Sequence, residues 1–245
     1  MGLGELDIHF TEVDNREAVA SSGLSKRSLP NRGTRSTSAR APQSISPNPI
    51  YRIFPHPTTF TSLHPHSSNV PPSFTYDVEM QGRSLLFKGK TDTKPICIKF
   101  VQRYGKDVHL WCAKQGFAPK LLAFEALPGG WYMVIMEHLD ESWIPLSKIA
   151  RPNRGHLKEV VHTALVALHQ QGMVHGDLRD TNFLVRKAGG REFMLIDFDW
   201  AGTEGHVLYP IFVNKAPDIG RPADVDDDTP IVAAHDDIMF EGMFH

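Results

Sequence analysis

Twelve residues, Val174–Val185 (VHGDLRDTNFLV), constrain this chain more than any other stretch. Beyond a Gly189-Gly190 turn signal comes Ile196-Asp197-Phe198-Asp199. His175, Asp177 and Asn182 fit H-x-D-x-x-x-x-N, and Asp197 follows in a second apolar frame. A plain strand–loop–strand hairpin accounts for the apolar runs Asn182–Val185 and Phe193–Ile196. It gives no reason for a His, two acids and an amide at these spacings.

The pattern resembles the catalytic loop of the protein-kinase-like superfamily, and Asp197 falls where those enzymes place a metal-holding Asp in a DFG-type triplet. HGDLxxxN followed by IDFD is closer to the aminoglycoside and choline kinase branch, and to divergent fungal kinase-like proteins. Ordinary protein kinases have Arg after the His and Gly closing the triplet; this chain has Gly176 and Asp199. The resemblance spans roughly Phe74 to Gly202 and implies use of ATP and Mg²⁺. Asp177 is then the residue that orients or deprotonates an acceptor hydroxyl. Mg²⁺ is a hard cation that takes oxygen ligands, which Asn182 and Asp197 would supply. Arg179, where protein kinases have a Lys, would offset charge on the moving phosphoryl group. His175 is implied as scaffold, and Asp180 is a poor second choice of base. Asp199 in place of Gly removes a flexible hinge, so the triplet should switch little.

Upstream, Phe74–Met80, Ser84–Lys90 and Pro95–Val101 read as three strands separated by turn signals. Alternation puts Cys97 and Lys99 on one face and Ile96 and Ile98 on the other. By resemblance Ile96–Lys99 matches the strand whose Lys contacts the inner phosphates of ATP. The turn between the first two strands holds only Gly82, a poor match to a glycine-rich phosphate loop. Gln102–Gln115 is a helix candidate without the Glu that kinases pair with this Lys; Asp107, His109 or neither would replace it, Asp107 being the better partner. Phe117–Phe124 leads into a strand, and Trp131–Leu139 is strongly strand-like. By position it would enter the hinge, with Glu137 and Leu139 presenting backbone groups to adenine and Met136 lining the pocket.

Ser142–Arg151 reads as a short helix or loop. Gly155–Gln171 carries Leu157, Val160, Val161, Ala164, Leu165 and Leu168 at helical spacing, and Gly172 stops it. A last helix near Ile231–Phe240 offers Asp236 or Asp237 as a brace for the catalytic loop.

Residues 1–73, rich in Ser, Pro, Arg and His, have too few periodic apolar residues to offset ordering entropy, and are expected to be a disordered tail. Its His56, His64 and His66 read as loop residues in preference to metal ligands. Residues 74–139 would form the N-lobe to the hinge and 140–245 a truncated C-lobe. The balance of 26 basic against 28 acidic residues gives no case for nucleic acid. Two cysteines are too few for a disulfide framework, and no apolar run approaches a membrane span. With no signal-peptide pattern, an intracellular, cytoplasmic chain is expected; the basic stretch Lys26–Arg40 makes a nuclear address the alternative.

The expected fold is α+β: a two-lobed protein-kinase-like fold with a small antiparallel-sheet N-lobe, a truncated helical C-lobe and a disordered N-terminal tail. The expected function is ATP- and Mg²⁺-dependent transfer of the γ-phosphoryl group to a protein or small-molecule hydroxyl. The alternative is a pseudokinase, a binding scaffold. The missing glycines, the missing helix Glu and the short C-terminus favour it; the retained Asp177, Asn182 and Asp197 disfavour it.

Overall fold

The computed structural model describes residues 57–64, 70–80 and 85–245. The expected tail up to residue 56 and the turn containing Gly82 lie outside these residues. The rest is two-lobed and α+β, as the sequence implies.

The N-terminal lobe is a five-stranded antiparallel sheet. Its strands are β1 (Thr75–Glu79), β2 (Leu86–Lys90), β3 (Pro95–Val101), β4 (Leu121–Leu127) and β5 (Trp131–Glu137), in the order β1-β2-β3-β5-β4. Helix α1 (Lys106–Lys114) lies between β3 and β4 in the chain. Register places Lys99 between Leu86 of β2 and Val134 of β5, and Cys97 opposite Met136. The two-residue period therefore sends Cys97 and Lys99 to one face and the fully buried Ile96 and Ile98 to the other.

That second face is covered by an aromatic ladder. Phe60, Phe74, Tyr76, Phe87 and Phe100 follow one another with ring centroids 5.2–6.0 Å apart. Here the expected tail is corrected: residues 58–64 and 70–74 are tied to each other and to the sheet. Phe60 N–H donates to Pro72 O and Phe74 N–H to Thr58 O. Leu63 N–H donates to Leu122 O, and His64 Nε2 lies 2.8 Å from Leu121 O. A single buried ring, Phe60, stabilises the segment by roughly 2 kcal/mol, and composition alone does not reveal that a sheet face awaits it. The segment also covers the edge of β4, which a sheet otherwise leaves with unpaired amides.

The C-terminal lobe begins with β6 (Trp143–Pro145), where a helix or loop was expected. The correction has a simple cause: Trp143–Pro145 adds as an edge strand to β8, and the Arg186 guanidinium lies 4.1 Å from the Trp143 ring. Helix α2 (Gly155–His169) follows, then β7 (Met173–Val174), β8 (Phe183–Arg186), β9 (Phe193–Leu195), β10 (Gly202–Thr203) and helix α3 (Ala233–Phe244). Strands β6, β8 and β9 form one small sheet, and β7 pairs with β10. The apolar stripe of α2 (Leu157, Val161, Ala164, Leu165, Leu168) packs with Met239, Phe240 and Met243 of α3 and with Phe183 and Phe193. Among the described residues no helix is long and apolar enough to cross a membrane.

One side chain joins the lobes. Phe198, 1% exposed, stacks on His109 of α1 (4.5 Å, 7°) and packs at 5.2 Å from His175. His109 is itself fully buried, within hydrogen-bond distance of Tyr104 Oη and Pro119 O. Burial pushes its pKa from the ordinary 6.5 down to about 4. Between these values the unfolded chain takes up a proton at this ring that the folded chain refuses. Stability therefore rises with pH across that window and is lost on acidification. We expect wild type to lose about 2 kcal/mol more than His109→Gln when denaturation is compared at pH 6.5 and pH 5; equal losses would contradict this assignment.

Candidate functional site

The loop after β7 owes its shape to a buried carboxylate. Asp236, fully buried on α3, accepts from His175 N–H (2.7 Å) and Gly176 N–H (2.9 Å). Of the two acids considered as braces, it is Asp236 that does this; Asp237 is half-exposed beside His169. Gly176 has φ +81°, and a Cβ there would sit 2.9 Å from Ile231 Cδ1 and 3.0 Å from Trp200 O. Any side chain, including the Arg of ordinary protein kinases, would force this packing apart. The ring of His175 is scaffold: its Nδ1 accepts from Asp177 N–H and its Nε2 donates to Ile196 O. One imidazole thereby ties the Asp177 loop to the residue preceding Asp197.

Asp177 is 5% exposed and closely attended. Arg179 Nη2 donates to its Oδ2 at 2.8 Å and Asn182 Nδ2 to the same oxygen at 3.0 Å. Its Oδ1 accepts from Arg221 Nη2 at 2.7 Å. Arg221 is a residue that sequence reading missed. It follows a short 3₁₀ turn (Pro217–Ile219), its guanidinium lies 4.6 Å from the Trp200 ring, and its side chain is 2% exposed. No periodicity or motif marks an Arg in such a segment. Asp180, the second-choice base, is instead paired with Arg154.

Asn182 spends its amide protons on Asp177, leaving Oδ1 fully buried with no hydrogen-bond partner among the described residues. A buried carbonyl oxygen without a partner is costly, and its chemistry suits a hard cation. Asp197 supplies a carboxylate from the residue after Ile196, whose N–H donates to Asn182 O. Its backbone is left-handed (φ +69°), a conformation that Asp tolerates better than most residues. An amide oxygen and a carboxylate, with phosphate oxygens completing the shell, is a donor set that fits Mg²⁺.

Lys99 reaches across from β3. Its Nζ donates to Asp197 Oδ1 at 2.6 Å and to Asp199 Oδ1 at 2.7 Å. Burial opposes its charge, but the two carboxylates prevail and hold the ammonium above the usual lysine value. The better expected partner, Asp107, is exposed at the start of α1, and His109 is committed to Tyr104, Pro119 and Phe198. Neither pairs with Lys99.

A cleft open to solvent lies beside this pair. Met80, Leu86, Cys97, Met136, Leu184 and Ile196 give it apolar walls, while Lys99 and Asp197 supply charge. Glu137, His138 and Leu139 of the inter-lobe connection also line it. The expected site residues thus fall into two groups. Lys99, Glu137, Leu139 and Asp197 share the cleft; Asp177, Arg179 and Asn182 form the adjoining loop and are not part of its lining.

A sheet lobe and a helical lobe with a charged cleft and such a loop together define a kinase-like fold. Residues 130–206, less than half of the chain, match the RIO domain. The match contains Asp177, Asn182 and Asp197 but not Lys99. Among solved structures, the Cydia pomonella granulovirus kinase PK-1 is similar at 20% identity and a TM-score of 0.46, over 58% of this chain and 55% of its own. The chain thus spans about half the length of that kinase. No curated protein matches it.

Removing the brace should loosen the loop. Asp236→Ala leaves two buried amides unpaired and should cost about 3 kcal/mol in urea denaturation. Gly176→Ala should cost roughly 2 kcal/mol or more through φ strain and the Ile231 contact. A loss below the measurement error in both variants would contradict the described geometry.

Proposed function

We propose that the chain is a phosphotransferase that binds ATP with Mg²⁺ in the inter-lobe cleft and transfers the γ-phosphoryl group to a hydroxyl of a protein or small molecule. The observation that carries this reading is the meeting of Lys99 and Asp197, from opposite lobes, at one cleft, with the Asn182 side-chain oxygen of the adjoining loop left without a hydrogen-bond partner among the described residues.

The apolar walls suit a purine, and backbone groups of Glu137 and Leu139 suit its edge. Lys99 would exchange Asp197 for phosphate oxygens, replacing one anionic partner by another. Asn182 and Asp197 would hold Mg²⁺, which neutralises phosphate charge. The acceptor oxygen would attack the γ-phosphorus while its proton passes to Asp177; the bond to the β-phosphate oxygen breaks and ADP leaves. Arg179 is near enough to Asp177 to offset charge on the moving group.

A second reading, a scaffold without turnover, draws on one observation. Both oxygens of Asp177 are already engaged by Arg179, Arg221 and Asn182. An acceptor hydroxyl must then use a remaining lone pair or displace a donor.

Two measurements separate the readings. Millimolar ATP with Mg²⁺ should raise the melting temperature, corresponding to about 1–3 kcal/mol by mass action, and Asp197→Ala should abolish the metal-dependent part. Asp177→Asn should retain that shift but lower transfer from radiolabelled ATP at least about a hundredfold. A shift without turnover in wild type, or no metal-dependent shift at all, removes the phosphotransfer reading and leaves the scaffold.

A further inference from the structure

A buried or half-buried ammonium on a strand does not hold its own position; four rotatable bonds leave it free unless an acid fixes it. The expected acid on α1 is missing. Asp107 is exposed, and it is the buried His109 that faces the interior from this helix, stacked on Phe198. Yet Lys99 is only 14% exposed and has its ammonium on two carboxylates.

We propose that Asp199 is the positioning residue for Lys99, taking the place of an acid on α1 and tethering the lysine from the C-terminal lobe. The proposal rests on the nucleotide reading of the cleft. Asp197 cannot serve this purpose during a reaction cycle, because the same carboxylate would be drawn to Mg²⁺. Asp199 can: its Oδ1 is 2.7 Å from Lys99 Nζ, and it lies two residues further along.

The backbone under Asp199 is fixed from three directions. Arg103 Nε donates to Asp199 O at 3.0 Å, and Gly105 N–H donates to Phe198 O at 2.7 Å. Phe198 is wedged between His109 and His175. Gly105 is required for this approach, since a Cβ there would lie 2.5 Å from Ala201 O. The carboxylate of Asp199 is thus carried on a rigid turn, not on a helix that can rotate. Two consequences follow. The placement of Lys99 no longer needs an acid on α1, which acts only through Gly105 and His109 on the turn that carries Asp199. Any outward swing of Phe198 would also break the Lys99–Asp199 pair, so the ion pair and the aromatic stack hold the triplet in one state.

The test uses the full chain and first needs no nucleotide. With limiting acetic anhydride, acylation at Lys99 is read by mass spectrometry against the exposed Lys90 and Lys94. Asp199→Asn should speed acylation of Lys99 at least about fivefold, Asp199→Glu should return it toward the wild-type rate, and Asp107→Asn should leave it unchanged. Asp199→Ser replaces Asp199→Asn if the latter does not fold. An unchanged Lys99 rate in the Asp199 variants, or a faster rate in Asp107→Asn, overturns the proposal. In a second arm, Mg²⁺-ATP affinity should fall about five- to tenfold in Asp199→Asn and recover in Asp199→Glu. Tighter binding in Asp199→Asn would mean that Asp199 competes with nucleotide for the lysine, and overturns the proposal as well. A wild type that binds no ATP defeats the phosphotransfer reading instead, and the acylation rates then decide on Asp199 alone.

Discussion

An ammonium group drawn into a mostly apolar cleft needs compensating charge, and that demand ties the two lobes together. Lys99 stands on a central strand of one lobe; the carboxylates that answer it, Asp197 and Asp199, stand on a turn of the other. Each lobe meets charge presented by the other here. Two like-charged carboxylates sharing one cation would repel each other without it, and the cation would be poorly solvated without them. The ion triplet thus acts as a specification of the lobe arrangement, and the Phe198 stack supplies the apolar contact beneath it.

The same logic of compensated burial runs through the loop behind the cleft. The Asp236 side chain has no exposure, and two amides in succession, His175 and Gly176, turn toward it. Two adjacent N–H groups can converge on one carboxylate only if the chain bends sharply, and the positive φ of Gly176 provides that bend. His175 then transmits the position of the loop to Ile196, and so to Asp197. The arrangement of Asp177, Asn182 and Asp197 is therefore set by α3, some sixty residues further along the chain. A motif that reads as local is held by a distant element.

This explains what was legible in the sequence. Strands β1–β3 and helix α2 could be read because period-two and period-3.6 patterns are written in adjacent residues. The polar loop could be read because its residue types have few alternative explanations. The partner of Lys99 could not: Asp199 is one hundred residues away, and nothing in its neighbourhood marks it as facing a strand. Arg221 was hidden for the same reason. The packing of residues 58–64 escaped because a Ser- and Pro-rich composition describes the average of a segment, whereas one Phe on an open sheet face decides its fate. Trp143–Pro145 escaped because three residues are too few to show a period, and a neighbouring strand recruited them.

Asp177 shows how far position and chemistry can be separated. A carboxylate between two guanidinium groups has both oxygens engaged before any acceptor arrives. It is also a well-oriented one, because Arg221 is itself immobilised by Trp200 and by the Asn214 carbonyl. Phosphoryl transfer with a loose transition state places little demand on base strength and much on the line of approach of the acceptor oxygen. A rigid Asp177 is thus compatible with catalysis by orientation, and on the phosphotransfer reading the cost of its clamping would fall on acceptor access. Only a hydroxyl able to reach the remaining lone pairs, past Arg179 at 10% exposure, meets that condition. On the phosphotransfer reading, the selectivity of the site for its acceptor would be written less in a binding pocket than in the two arginines that guard one carboxylate.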